Sequence, residues 1–320
     1  MMELSDKWKL LESQEIDSGL STIRFESSGP LEVFLAVDEK SSHAILIYLP
    51  SSFTPKFDAL NNDNLELFFV KQGHYLQIKL LDSDFTSLFD DLIISLIYSI
   101  KNTVNAEEAS KNFITCYLKW STFFTKTLDK KLSNERVIGL WGELSYLLKL
   151  IQDACSSVPI DNILKSWVGP LGASHDFEFS SSSIEVKTKP LNSWMIKISS
   201  EYQLDNVDEK PLNLEVISVI ESEHGLSLKD LFMKIKEHIN KKSGDITILL
   251  SALEKESLNE ECLSKYSKFL FSRKVTETFD CDVDYFPKIK SSGLHKAIST
   301  VKYSLDVREL QEFRVSQENY

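Results

Sequence analysis

What most constrains the fold of this chain is a change, near residue 85, in the period at which its apolar residues recur. Before it come four short runs rich in β-branched and aromatic residues: Leu31-Glu-Val-Phe-Leu-Ala-Val, Ala44-Ile-Leu-Ile-Tyr-Leu, Leu65-Glu-Leu-Phe-Phe-Val and Tyr75-Leu-Gln-Ile-Lys-Leu. Pro50 ends the second and Gly73 separates the last two, so each reads as a strand. After it, Leu88, Leu92, Leu96 and Ile100 recur at i+4, and Phe113, Tyr117, Trp120, Phe124 and Leu128 mark a second helix. A period of two buries one face of a sheet, whereas a period near 3.6 buries one stripe of a helix. The switch predicts a β-rich N-terminal module over 1–104 and a second domain over 105–320, with the boundary at Val104-Asn-Ala-Glu-Glu. At 320 residues the chain is long enough for two cores.

The second domain mixes the two periods, as an α/β fold requires. Ser133 is a natural N-cap for a helix to about 153, whose apolar face holds Leu140, Leu144, Leu147 and Ile151. A short helix follows Pro159 and runs to Trp167, and then comes the turn-rich Val168-Gly-Pro-Leu-Gly-Ala. Strands are predicted over 175–179 and 184–188, joined by the serines 180–183, and again over 194–199 and 212–220. Ser227, with Asp230 at N3, starts a helix reaching about 239. Further strands are expected over 246–250, 269–275 and 298–305, with one helical stretch among them.

With 36 basic and 48 acidic residues the chain carries a net charge of −12. That weighs against nucleic acid, because phosphate contacts supply most non-specific affinity for it. The charge is uneven, however: residues 1–104 hold 8 basic and 16 acidic residues, whereas 226–303 hold 14 and 11. A basic surface is therefore expected in the C-terminal half, around Lys229, Lys234, Lys236, Lys241 and Lys242. Cys116, Cys155, Cys262 and Cys281 fall in no metal-ligand spacing and suggest no disulfide framework. The apolar run 92–100 is too short to cross a bilayer, and Glu3 and Asp6 stand where a signal peptide carries basic residues. A cytoplasmic protein with no membrane partner is expected. No P-loop, dinucleotide glycine motif, GxSxG elbow or HExxH helix is present.

The chemistry concentrates in the paired strands 175–179 and 184–188. Side chains alternate along a strand, so Asp176 and Glu178 oppose Phe177 and Phe179, while Glu185 and Lys187 oppose Ile184, Val186 and Thr188. A hairpin through the serines then gathers carboxylates and one ammonium on a single face. Carboxylates that close repel one another unless a cation joins them, and oxygen ligands of this kind suit magnesium or manganese rather than zinc. An E-x-K triplet by itself also describes any half-exposed strand, where such a lysine adds little to stability. Glu143 lies beside the apolar face of the preceding helix, where an unpaired carboxylate is expensive. Gly139 and Gly142 precede it, each costing roughly 1 kcal/mol relative to alanine, which implies close approach to another backbone. His175 reads as a structural histidine, Lys189 and Lys197 as surface lysines, and Trp141, Trp167 and Trp194 as anchors.

Asp176, the residues after it and Glu185-Val186-Lys187 resemble the D…(D/E)xK signature of the PD-(D/E)XK nucleases. Glu143, in Gly139-Leu-Trp-Gly-Glu-Leu, matches the acid usual on the preceding helix, and Gln203 the glutamine common downstream. The wider layout, with Trp167-Val-Gly-Pro, His175-Asp-Phe and Ile184-Glu-Val-Lys-Thr, is similar to PD-(D/E)XK proteins associated with restriction and phage-defence gene clusters. The detailed resemblance covers 133–205, and His175 stands where the name-giving proline would be. It implies a restriction-endonuclease-like mixed central sheet flanked by helices, and a magnesium-dependent DNA endonuclease that also accepts manganese. Asp176, Glu185 and the Val186 carbonyl would be the metal ligands, Lys187 would handle the attacking water, and Glu143 and Gln203 would support the site. Partners would be DNA and a second copy or other subunits of a restriction or defence system. The alternative is a non-catalytic DNA-binding or assembly subunit that keeps the fold.

Overall fold

The computed structural model describes residues 4–25, 29–124, 131–154, 158–205, 210–298 and 300–320. The chain forms two compact units, Met1–Thr127 and Leu128–Tyr320. In the first, helix α1 (Leu4–Glu12) precedes six strands: β1 (Leu20–Phe25), β2 (Val33–Asp38), β3 (His43–Tyr48), β4 (Ala59–Asn61), β5 (Leu65–Val70) and β6 (Tyr75–Leu80). They form one antiparallel sheet in the order β1-β2-β3-β6-β5-β4. The four expected strands are all there, with β1, β4 and α1 in addition.

Helices α2 (Thr86–Lys101) and α3 (Ala106–Ser121) complete this unit. The boundary expected at 104 is instead the turn between them, where Asn105 caps α3 by accepting from the Glu108 N–H. The buried face of α3, with Phe113, Tyr117 and Trp120, ties it to the sheet, and the Tyr117 hydroxyl donates to the Leu60 carbonyl at 3.0 Å. A helix–helix turn and a domain boundary look alike in sequence, since both are short, polar breaks between apolar stripes.

The second unit contains α4 (Asn134–Asp153), α5 (Ile160–Ser166), β7 (Phe177–Glu178), β8 (Ser183–Pro190), β9 (Met195–Ile198), β10 (Leu212–Leu226), α6 (Leu228–Lys241), α7 (Ile246–Lys255), α8 (Glu260–Ser264), β11 (Phe271–Asp280), β12 (Tyr303–Asp306) and β13 (Arg314–Asn319). Its central sheet runs β13-β11-β10-β8-β7 and is mixed: β8 and β10 are parallel, the other pairs antiparallel. Helix α4 packs on β8 with α6 against it. The opposite face is covered by the β9–β12 ribbon and a 3-10 turn at Val307–Phe313, in a core that includes Ile196, Ile198, Leu214, Val216, Phe279 and Phe313. No helix among the described residues is long and apolar enough to cross a membrane.

The expected strand at 246–250 is the start of α7. Asp245 caps it by accepting from the Thr247 N–H, and the buried Ile246, Leu249, Leu250 and Leu253 recur at helical spacing. Ser133 caps α4 as expected, accepting from the Arg136 N–H, and Ser227 with Asp230 forms a capping box on α6. Of the two α4 glycines, Gly142 makes the close approach: a Cβ there would lie 1.7 Å from Thr188 Oγ1. The neighbour is thus a side chain of β8, and at Gly139 a Cβ would meet Arg136 at an ordinary 3.7 Å. Gly142→Ala is expected to destabilise the protein by about 1–3 kcal/mol through overpacking. Adding Thr188→Ala should recover part of that loss in thermal unfolding, and a Gly142→Ala protein that melts with wild type would disprove the contact.

Candidate active site

The site begins where β7 parts from β8. Their ladder pairs Phe177 with Ile184 and Glu178 with Ser183 and then stops. Upstream, the chain turns to another neighbour: Trp167 bridges Phe177, and the Val168 and Gly169 N–H groups donate to the Asp176 carbonyl at 2.9 and 3.0 Å. The Val186 N–H, which faces this edge, takes the Asp176 carboxylate instead, donating to Oδ2 at 2.9 Å. In an extended strand the N–H and C=O of one residue point to the same edge, so the Val186 carbonyl opens beside Asp176. The other edge of β8 belongs to β10, where the Ser183 N–H donates to the Pro211 carbonyl at 2.8 Å. A Cβ at position 169 would lie 2.8 Å from Asp176 Oδ1 and 3.5 Å from Glu143 Oε2, so the approach requires Gly169.

Thr188 points at α4, which leaves Glu185 and Lys187 on the opposite face of β8, as the alternation requires. Glu185 is 1% exposed. Its Oε1 accepts from Lys187 Nζ at 2.6 Å, and its Oε2 is buried with no hydrogen-bond partner among the described residues. Lys187 Nζ also donates to Gln203 Oε1 at 3.1 Å, and that oxygen accepts the Ser199 N–H at 2.7 Å. Lys187, its side chain 15% exposed, is therefore one end of a largely covered ion pair. Glu143, on α4, is also buried, with both oxygens engaged: Oε1 by Arg136 Nη1 at 2.6 Å and Oε2 by Trp167 Nε1 at 3.0 Å. Arg136 reaches on to Glu256 Oε1 at 2.9 Å.

Burial, then the charges of Glu185 and Glu143, hold the Asp176 carboxyl well above the usual carboxylate range. Burial also raises Glu185, against the pull of Lys187. Burial would lower the Lys187 ammonium, but Glu185 and Asp176 outweigh it and raise it. The structure thus brings Asp176, Glu185, Lys187, Glu143 and Gln203 together. Glu178 turns to His175 at 4.0 Å, so the third carboxylate of the cluster comes from α4. His175 is buried, with Nε2 3.3 Å from the Asp205 carbonyl oxygen. Among the described residues no three His, Cys, Asp or Glu side chains form a metal-binding group.

Two supporting interactions lie outside the sequence reading: Arg136, which it did not single out, and the bond from Trp167, expected there as an anchor, to Glu143. Arg136 lies seven positions before Glu143, two turns along one helix face, which is a readable signal; the Trp167 contact depends on tertiary packing. Trp141 and Trp167 are buried, whereas Trp194 is half exposed beside Lys189 and Arg308. Lys189 is buried too, and Lys197 pairs with Glu135.

A family described as "Putative PD-(D/E)XK family member, (DUF4420)" matches residues 4–308. The chain belongs to this family. No curated protein and no solved structure matches it. The match runs through the N-terminal sheet as well as the site unit, so both belong to the DUF4420 pattern. PD-(D/E)XK membership implies the restriction-endonuclease-like fold, which agrees with the mixed sheet described above.

The crowded carboxylates have a consequence for stability. An acid whose pKa is raised on folding binds its proton more tightly in the folded state. Its contribution is complete below the ordinary value of about 4 and is lost as pH rises through the folded value. In chelator at pH about 8, Asp176→Asn is expected to melt above wild type, by about 2–4 °C for each kcal/mol relieved. The gap should close towards pH about 4. Identical melting temperatures across that range would show that the carboxylates do not strain the fold.

Proposed function

We propose that this protein is a divalent-metal-dependent DNA endonuclease, hydrolysing phosphodiester bonds in restriction or phage defence in the cytoplasm. The observation that carries this reading is the Glu185 Oε2 atom, buried and without a partner beside the Asp176 carboxylate and the Val186 carbonyl edge. An unsatisfied buried polar atom costs roughly 1–3 kcal/mol, more when charged, and a cation removes that cost. The residues present fit magnesium, or manganese in its place. Asp176, Glu185 and the Val186 carbonyl are hard oxygen donors, and such an ion fills its remaining positions with water. When bound, it would supply an acidified water and stabilise negative charge on a phosphoryl oxygen.

The chain's own residues do the rest. The Val186 N–H fixes the rotation of the Asp176 carboxylate. Lys187, with three donor hydrogens, pairs with Glu185 and orients the attacking water or neutralises the phosphorane. Gln203 holds that ammonium in position. Glu143 acts as a support rather than a ligand, because Arg136 and Trp167 occupy both of its oxygens.

The test is cleavage of plasmid, linear duplex and single-stranded DNA with and without magnesium. Asp176→Asn and Lys187→Gln are each expected to slow cleavage by roughly 10²–10³-fold. Asp176→Asn is the decisive variant because its fold is expected to be at least as stable as wild type. If wild type cleaves no DNA under magnesium, or Asp176→Asn cleaves as fast as wild type, the non-catalytic alternative takes over.

A further inference from the structure

Four of the five lysines expected to carry nucleic acid around α6 have partners of their own. Lys229 and Lys236 approach Glu260 at 4.0 and 3.6 Å, Lys241 pairs with Glu237 at 2.6 Å, and Lys242 donates to the Ile151 carbonyl at 3.0 Å. A different surface is available. The segment 285–302 contains Lys288, Lys290, Lys296 and Lys302 and no acidic residue, on a chain of net charge −12. Lys288 is buried against Asp282 at 3.6 Å. Lys290, Lys296 and Lys302 are exposed and form no ion pair with the described residues.

This segment is moored to the active site. The Ser291 N–H and hydroxyl both donate to Asp205 Oδ2, the former at 2.9 Å, and the Val301 N–H donates to Glu201 Oε2 at 3.2 Å. Glu201 and Asp205 stand on either side of Gln203, whose amide oxygen holds Lys187. Both carboxylates are buried, so the lysines of the segment face solvent while its anchors face the site. At one end stands Tyr285, 95% exposed and at φ 73°, a left-handed conformation that bulky side chains avoid. A tyrosine wholly in water contributes nothing to the core, but its ring offers a face on which a base can stack. Tyr285, Lys288 and Lys290 line one hollow with Asp205, Asp282 and Asp284; Asp282 is tied to Lys288 and to the Leu212 N–H, which leaves Asp205 and Asp284 as charges in that hollow that oppose an anion.

We infer that segment 285–302 grips the nucleic-acid substrate beside the active site, with Lys290, Lys296 and Lys302 on phosphates and Tyr285 stacked on an unpaired base. The inference rests on the nuclease reading above. Its test is binding of a labelled DNA duplex and of the corresponding single strand, in chelator so that nothing is cleaved, across a range of salt concentrations. Replacing Lys290, Lys296 and Lys302 together with alanine should flatten the slope of log affinity against log salt on duplex by about 0.9 per lost contact, roughly 2.7 in all. The same treatment of Lys229, Lys234 and Lys241 should leave the slope unchanged. Tyr285→Ala should weaken single-strand binding roughly tenfold and leave the duplex slope as it was. If wild type binds neither probe, the nuclease reading falls and takes this inference with it. If wild type binds and the Lys290/Lys296/Lys302 variant keeps its slope, this inference alone is overturned. Single-strand affinity unchanged by Tyr285→Ala removes the stacking contact.

Discussion

Where β7 leaves β8, a backbone N–H would be left without an acceptor, and the Asp176 carboxylate takes that place. The rest of the site follows from this substitution of a side chain for a strand. It fixes the carboxylate against the Val186 N–H and turns the Val186 carbonyl towards the same opening. It also brings the Asp176 main chain against residues 168–169, where a side chain larger than hydrogen would collide with Oδ1. Trp167, immediately before that turn, is held by Glu143, and Glu143 by Arg136. One interrupted ladder thus links the central sheet, α4 and the turn at Gly169–Leu171 through directed bonds.

The charges in this region divide into two groups. Arg136 satisfies Glu143 and Glu256, closing a part-buried network on the α4 side. Asp176 and Glu185 share the single ammonium of Lys187, which contacts Glu185 alone of the two. The resulting imbalance explains why burial and mutual repulsion raise Asp176 so far. Such an arrangement opposes stability and favours a cation, a trade familiar in sites selected for chemistry rather than for folding.

Much of this was legible because strand alternation and helix capping are local. The faces of Glu185 and Lys187, the Ser133 cap and the Ser227/Asp230 capping box follow from neighbouring residues, and the structure bears them out. Family membership likewise follows from a short signature. What could not be read depends on partners distant in sequence. The run Ile246-Thr-Ile-Leu-Leu is β-branched and apolar, and the environment of α7 makes it helical. The break at 104 is a turn inside a unit because α3 docks on a sheet formed earlier in the chain. Lysines around α6 look solvent-bound until Glu260 and the Ile151 carbonyl are found beside them. How far Lys187 is covered is not readable from its own strand either, since nothing there reveals the turn and ribbon beside it.

That ribbon has a consequence for the order in which the chain can acquire its structure. β9 follows directly on β8, yet it pairs with β12, with Ile198 opposite Tyr303. The turn carrying Gln203 is likewise held by Ser291 and Val301. Contacts between segments so distant in sequence form late, because the loop-closure entropy must first be overcome. During synthesis, Asp176, Glu185 and Lys187 emerge long before the segments that cover and orient them. The cluster is therefore fully covered only once nearly the whole chain has left the ribosome.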